Sequence, residues 1–322
     1  MKVERLLDPK EIPDSLWDSS AGALVLPKAL SEIYVQMIDA KGLRSLISRD
    51  GRDGPVGGID KDSTDRHFAQ AFDGSVARAL LAVLDPRSQV GSTSNKFIRV
   101  TAGCDLALTD APCGAGAASF AFLAALAELR EKSILPRQPL YVKLVGAEPS
   151  EFAREYVISI LEELRPTLES QAIFVEHHLC DWDVTCEFST SDLIRASLTA
   201  SQVGSARMLV VANFNGFLMQ SGKLKAATPQ LEELFRYATD DESFAIWIEP
   251  NMNRATAANG LLPVIYGLYA KLLSFFGFED KELSFDKPLF QAEAKFWLPL
   301  QPDVHARVGL AVLPMSLRRG DQ

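Results

Sequence analysis

The chain has 322 residues, 47% hydrophobic and 23% charged, with a formal net charge of −9. That length holds one large domain or two modest ones, and the composition is that of an ordinary folded protein with a sizeable core. The negative balance argues against broad electrostatic binding of nucleic acid or of an anionic membrane surface.

Residues 24 to 48 carry a helical stripe of Leu26, Leu30, Ile33, Tyr34, Met37 and Ile38. The stretch from Arg49 to Asp65 has no apolar period and reads as a loop, and its aspartates lack EF-hand spacing. Helix resumes near His67 and runs to Leu84, stopped by Asp85-Pro86, and a polar loop spans Arg87 to Asn95. The N-terminus lacks the apolar core of a signal peptide.

From about residue 104 strands alternate with helices. Strands are expected over 104–109, 140–147, 173–177, 208–212 and 244–248. Helices are expected over 117–132, from Ser150 as cap to Leu164 before Pro166, over 229–238 and over 261–276. The apolar run from Gly260 to Phe278 contains Lys271 and reads as a core helix, not a membrane span. Two closing strands, 290–298 and 305–313, are joined by a turn with Pro302-Asp303, so one of them runs antiparallel. The alternation predicts an α/β fold with a mostly parallel sheet and right-handed crossovers. Residues 1–100 read as an N-terminal helical cap or lid segment and residues 101–322 as the sheet-bearing domain.

Ligands of open α/β sheets bind at the carboxyl ends of the strands. The polar residues Asp110, Glu148, Asp181 and Asn213 all fall there. After the first strand comes Asp110-Ala111-Pro112-Cys113-Gly114-Ala115-Gly116, a tight turn opening a small-residue helix. Glycines let a ligand approach the backbone, and the helix start offers unpaired N–H groups. This Asp-x-x-Cys-Gly-x-Gly turn resembles the first motif of class I S-adenosylmethionine (SAM)-dependent methyltransferases. The resemblance implies a Rossmann-like seven-stranded, mostly parallel sheet with one antiparallel strand, preceded by the N-terminal helical segment. It implies S-adenosyl-L-methionine as cofactor, with Asp110, Ala111, Pro112, Gly114 and Gly116 around its methionine part. Glu148, followed by Pro149, takes the ribose hydroxyls, Asp181 and Trp182 the adenine, and Asn213 lines the pocket. The two prolines that follow this position in many amino-methylating enzymes are missing from Asn213-Phe214-Asn215-Gly216, so an adenine or glutamine amine is not supported as acceptor.

Catalytic candidates are weaker. His178 and its neighbour His177 follow the third strand, and His67 and Arg78 lie on the N-terminal helix. No His, Cys and carboxylate set has zinc-site spacing, and the four cysteines, Cys104, Cys113, Cys180 and Cys186, show no Cys-x-x-Cys pattern. They suit a reduced, cytoplasmic protein. Three readings stand: a methyltransferase acting on a small-molecule or protein acceptor, a catalytically degenerate methyltransferase-like assembly or interaction factor, and a nicotinamide-dependent oxidoreductase. Against the last, Ser119 stands at the third position of a Gly-x-Gly-x-x-Gly fingerprint, and Glu148 lies beyond its ~20-residue offset to the ribose acid.

Overall fold

The computed structural model describes residues 5–48, 58–201, 205–238, 243–250 and 290–315. The N-terminal part holds two short strands, β1 (Trp17–Asp18) and β2 (Ala23–Leu24), and three helices, α1 (Lys28–Ala40), α2 (Lys61–Leu84) and α3 (Gly91–Thr101). Then follow β3 (Asp105–Asp110), α4 (Ala117–Glu131), β4 (Leu140–Ala147), α5 (Glu151–Ser170), β5 (Ile173–Cys180) and α6 (Glu187–Ala200). The chain continues with β6 (Ala206–Ala212), α7 (Asn215–Gln220), α8 (Leu224–Ala238), β7 (Ser243–Pro250), β8 (Phe290–Leu298) and β9 (Gln301–Met315).

All nine strands form one sheet, ordered β1-β2-β8-β9-β7-β6-β3-β4-β5. β3 to β7 pair in parallel, and β9 pairs antiparallel with both β7 and β8. These seven strands, with one reversed, are the sheet the resemblance implies. The expected count of seven is nevertheless two short, and the N-terminal segment is not purely helical. β2 adds to β8 in parallel, and β1 pairs back on β2. Strands of two residues show no alternation of apolar and polar positions, so the sequence pattern misses them.

Helices cover both faces. On one, α1, α2, α4 and α5 bury Tyr34, Phe68, Phe122 and Leu161 against Leu106, Leu144, Phe296 and Leu310. On the other, Leu193, Leu234 and Phe235 of α6 and α8 pack on Val145, Leu209 and Trp247. Phe235 stacks on Trp247 at 5.8 Å.

Other boundaries differ for local reasons. Asp60 caps α2 by accepting from Ser63 N at 2.8 Å, so the expected loop ends before Asp65. The polar stretch from Arg87 to Asn95 contains the start of α3, whose Thr93, Ser94 and Asn95 are buried. There Asp85 accepts from Gln89 N at 2.6 Å, Val90 N at 2.9 Å and Arg5 Nη1 at 2.5 Å. α5 passes through Pro166, because its apolar face continues from Leu164 to the buried Leu168. α8 likewise carries Pro229 inside it. β5 extends three residues past His177, and β9 begins at Gln301, so Pro302-Asp303 lies within a strand and the turn is Pro299-Leu300. α6 and α7 have no counterpart in the sequence reading. The expected helix over 261–276 lies outside the described residues.

Candidate functional site

The turn between β3 and α4 is tied to β4 by its backbone. Cys113 N donates to Ala147 O at 2.9 Å, and the Ala111–Pro112 peptide is cis. Gly114 and Gly116 have φ of +52° and +79°, where L side chains are strained. Their surroundings differ. A Cβ on Gly114 would meet nothing within 4 Å, whereas a Cβ on Gly116 would lie 2.4 Å from a ring carbon of the buried Phe120. The open side of the turn is therefore at Gly114. At Gly116 the Phe120 ring of α4 occupies the side-chain space.

Two buried carboxylates flank this turn. Asp110 Oδ2 accepts from Ser119 Oγ at 2.6 Å, while Asp110 Oδ1 is buried with no hydrogen-bond partner. Glu148 Oε2 accepts from Gly114 N at 3.1 Å and Oε1 from Ser150 N at 3.1 Å. Desolvation by burial raises both acids to about 7, outweighing the hydrogen bonds that each receives. Burial and the same two carboxylates push the Cys113 thiol far up, so it stays protonated. Arg154 donates to the Glu148 backbone carbonyl, and its guanidinium lies 3.9 Å from the exposed carboxylate of Asp181. Pro149 is exposed beside Glu148.

The raised pKa values fix a direction for stability. A carboxyl with a folded pKa above its unfolded value binds more protons folded than unfolded between the two. Its contribution is fully present below the ordinary carboxylate range and is lost as pH rises through about 7. Asp110→Asn, which imitates the protonated acid, is therefore expected to gain on the parent between pH 5 and pH 8, by on the order of a few kcal/mol. Urea unfolding midpoints at both pH values test this. An equal difference at the two pH values would contradict it.

The β6 end adds further polar groups. Asn213 has φ +56° and donates its N–H to Ile248 O at 2.9 Å. The Oδ1 atoms of Asn213 and Asn215 are buried without a hydrogen-bond partner. Glu249, at the end of β7, is buried and accepts at Oε1 from Phe214 N (2.9 Å), Asn215 N (2.9 Å) and Trp247 Nε1 (2.6 Å). Burial raises its pKa against those three bonds and against the nearby positive charge of Arg78. The sequence reading gave Glu249 no role. Its position at a strand's carboxyl end, shared with Asp110 and Glu148, is the signal that marks it.

The remaining candidates fall unevenly. Asp181 is exposed at the rim. Trp182 is buried, its indole N–H donating to Thr190 Oγ1 at 3.2 Å and its ring 6.0 Å from Phe214. It forms a wall of the β5–β6 end, with no open face for stacking. His177 and His178 lie inside β5, opposite Leu144 and Val145, and not after it. Both are exposed on this edge strand, which runs on to Cys180. His67 is exposed on α2, and Arg78 is half-buried near Glu249. Asp110, Gly114 and Glu148 are thus brought together, with Asn213 and Glu249 along the same edge of the sheet.

A recess elsewhere, between α6, α8 and the middle of β3 and β6, is lined by Thr109, Leu198, Arg207 and Tyr237. It has a volume of about 20 Å³, room for a water and not for a cofactor. Among the described residues no helix is long and apolar enough to cross a membrane.

Three solved structures similar to this chain are described as SAM-dependent methyltransferases or an O-methyltransferase. A class I protein from Listeria monocytogenes is 12% identical, with 91% of this chain and 70% of that one covered and a TM-score of 0.38. A TehB-like protein from Corynebacterium glutamicum is 13% identical, with 67% and 85% covered and a TM-score of 0.27. An O-methyltransferase from Klebsiella pneumoniae is 10% identical, with 89% and 98% covered and a TM-score of 0.29. No protein-family model and no curated protein matches the chain. Identities and TM-scores this low leave the function to be read from the site itself.

Proposed function

We propose that this chain binds S-adenosyl-L-methionine and transfers its methyl group to a small-molecule or protein acceptor. The observation that carries this reading is the Glu148–Gly114 hydrogen bond. It joins the ribose-type acid at the end of β4 to the open glycine turn after β3. The cofactor's chemistry fits the residues present. It carries a sulfonium and an ammonium, and Asp110 offers a buried carboxylate oxygen with no partner. Its ribose brings two hydroxyl donors, and a carboxylate accepts from both. Its methionine part needs room over the backbone, and Gly114 leaves that room.

When bound, the cofactor supplies an electrophilic methyl. The chain's contribution is orientation: Glu148 fixes the ribose, the Gly114 turn lets the chain of the cofactor lie against the backbone, and Asp110 balances positive charge. The acceptor enters from the ends of β6 and β7, where Asn213 and Asn215 present oxygens able to take a hydrogen bond. From the N-terminal segment, α2 acts as the cap over this end, with Thr64 beside Ser150 and Arg78 on the acceptor side near Glu249.

Isothermal titration with S-adenosylhomocysteine tests the reading, with NAD as the contrasting ligand. Gly114→Ala puts a methyl into the open space at φ +52°. It is expected to cost about 1 kcal/mol of stability and to lower the affinity at least roughly tenfold. Gly116→Val is expected to destabilise the fold itself, through Phe120. Parent-like binding by folded Gly114→Ala would remove the turn from the site. Tight NAD binding without S-adenosylhomocysteine binding would replace the methyltransferase reading.

A further inference from the structure

The first turns of α2 are fastened to the start of α5, beside Glu148. Thr64 Oγ1 lies 3.1 Å from Ser150 Oγ, and both residues are buried. Ser150 is the residue whose N–H donates to Glu148 Oε1, and its hydroxyl also caps α5 by accepting from Ala153 N at 3.3 Å. One position on, Asp65 Oδ1 accepts from Tyr156 Oη at 2.7 Å and Oδ2 from Lys61 Nζ at 2.5 Å. Those bonds outweigh burial and hold the Asp65 carboxyl below its ordinary value. Phe68 stacks on Tyr156 at 4.1 Å, and Lys41 Nζ sits 4.7 Å from the centre of the same ring.

Apolar contact already joins these helices, since Phe68 of α2 stacks on Tyr156 of α5. Buried hydroxyls add a desolvation cost, and they repay it by fixing register and direction. Here the register they fix is that of Ser150, and through Ser150 that of the Glu148 carboxylate.

We infer that Thr64 is a positioning residue for the ribose-binding carboxylate: it holds Ser150, whose amide holds Glu148, so that docking of α2 and seating of the cofactor reinforce one another. The inference rests on the reading of Glu148 as the ribose ligand. Such coupling is reciprocal: if α2 tightens the cofactor site, an occupied site must tighten α2.

The test uses the full chain with S-adenosylhomocysteine as probe. Thr64→Val replaces the hydroxyl with a methyl group of similar size and is expected to weaken binding roughly threefold to tenfold. Thr64→Ser returns the hydroxyl and is expected to restore parent affinity, which a loss of helix packing would not allow. In hydrogen exchange, saturating probe is expected to slow the amides of residues 61–67 in the parent and in Thr64→Ser, and not in Thr64→Val. Parent affinity in Thr64→Val would overturn the inference, as would probe binding that slows exchange only in β3, β4 and the turn. If Thr64→Val does not fold, Thr64→Ser and the exchange pattern of the parent decide. A parent chain that does not bind the probe overturns the cofactor reading itself and the coupling with it, whereas a parent that binds while Thr64→Val binds equally well overturns the coupling alone.

Discussion

Glu148→Ala is expected to lower the affinity for S-adenosylhomocysteine by at least roughly tenfold, and by far more if both ribose hydroxyls use the carboxylate. Each hydrogen bond to a charged group is worth roughly 1.5–3 kcal/mol, and the ribose makes two. Both carboxylate oxygens already accept one backbone amide, from Gly114 and Ser150, and each keeps a lone pair for a further donor. With its pKa raised to about 7, the carboxyl is partly protonated near neutrality before a ligand binds. Two hydroxyl donors favour the ionised form, so binding is expected to release protons below pH 7 and to strengthen as pH rises toward 8. Glu148→Gln keeps one accepting oxygen and is expected to fall between the parent and alanine. Calorimetric titration of the three proteins at pH 6 and pH 8 measures both effects. Equal affinity in parent and Glu148→Ala would show that the end of β4 does not hold the ribose.

Much of this site is legible in the sequence because strand ends concentrate it. β4 reads from Leu140 to Ala147 in sequence and in structure, so the acid after it is placed correctly. β5 has an exposed edge and alternates poorly, and its end is read three residues early. That error places His177 and His178 after the strand, whereas both lie inside it. The turn's glycines are visible as glycines, but which of them faces open space depends on where the Phe120 ring lies, a tertiary fact with no local signal. The same limit hides α3, whose buried Thr93, Ser94 and Asn95 make a packed helix look like a polar loop. It hides β1 and β2 as well, since these two-residue strands are defined only by their pairing, β2 with β8 and β1 with β2. Thr64 and Ser150, 86 positions apart, meet only in the folded chain.

Glu249 is the largest stability effect expected of a single side chain at this end of the sheet. Its Oε1 accepts from Phe214 N, Asn215 N and Trp247 Nε1, all within 2.9 Å. Two of these donors lie at the start of α7, whose N-cap residue Phe214 supplies no side-chain cap. The third ties the turn to the indole that stacks on Phe235 of α8. Glu249→Ala strands three donors in a region closed to water. Each buried unsatisfied donor costs roughly 1–3 kcal/mol, so a total loss of at least about 3 kcal/mol is expected. Glu249→Gln keeps an accepting oxygen, and it removes a charge that burial opposes, so it is expected to cost less than about 1 kcal/mol. The ratio between the variants matters more than either value, because it separates an acceptor that organises the turn from a charge that serves Arg78. If the charge is what counts, Glu249→Gln and Glu249→Ala lose similar stability in urea unfolding. If the acceptor counts, only alanine does, and exchange of the Phe214 and Asn215 amides rises in that variant while it stays slow in the glutamine one. The turn that Glu249 holds carries Asn213 and Asn215, so the same variants are expected to leave S-adenosylhomocysteine affinity within roughly threefold of the parent while changing whatever the β6 end receives as acceptor.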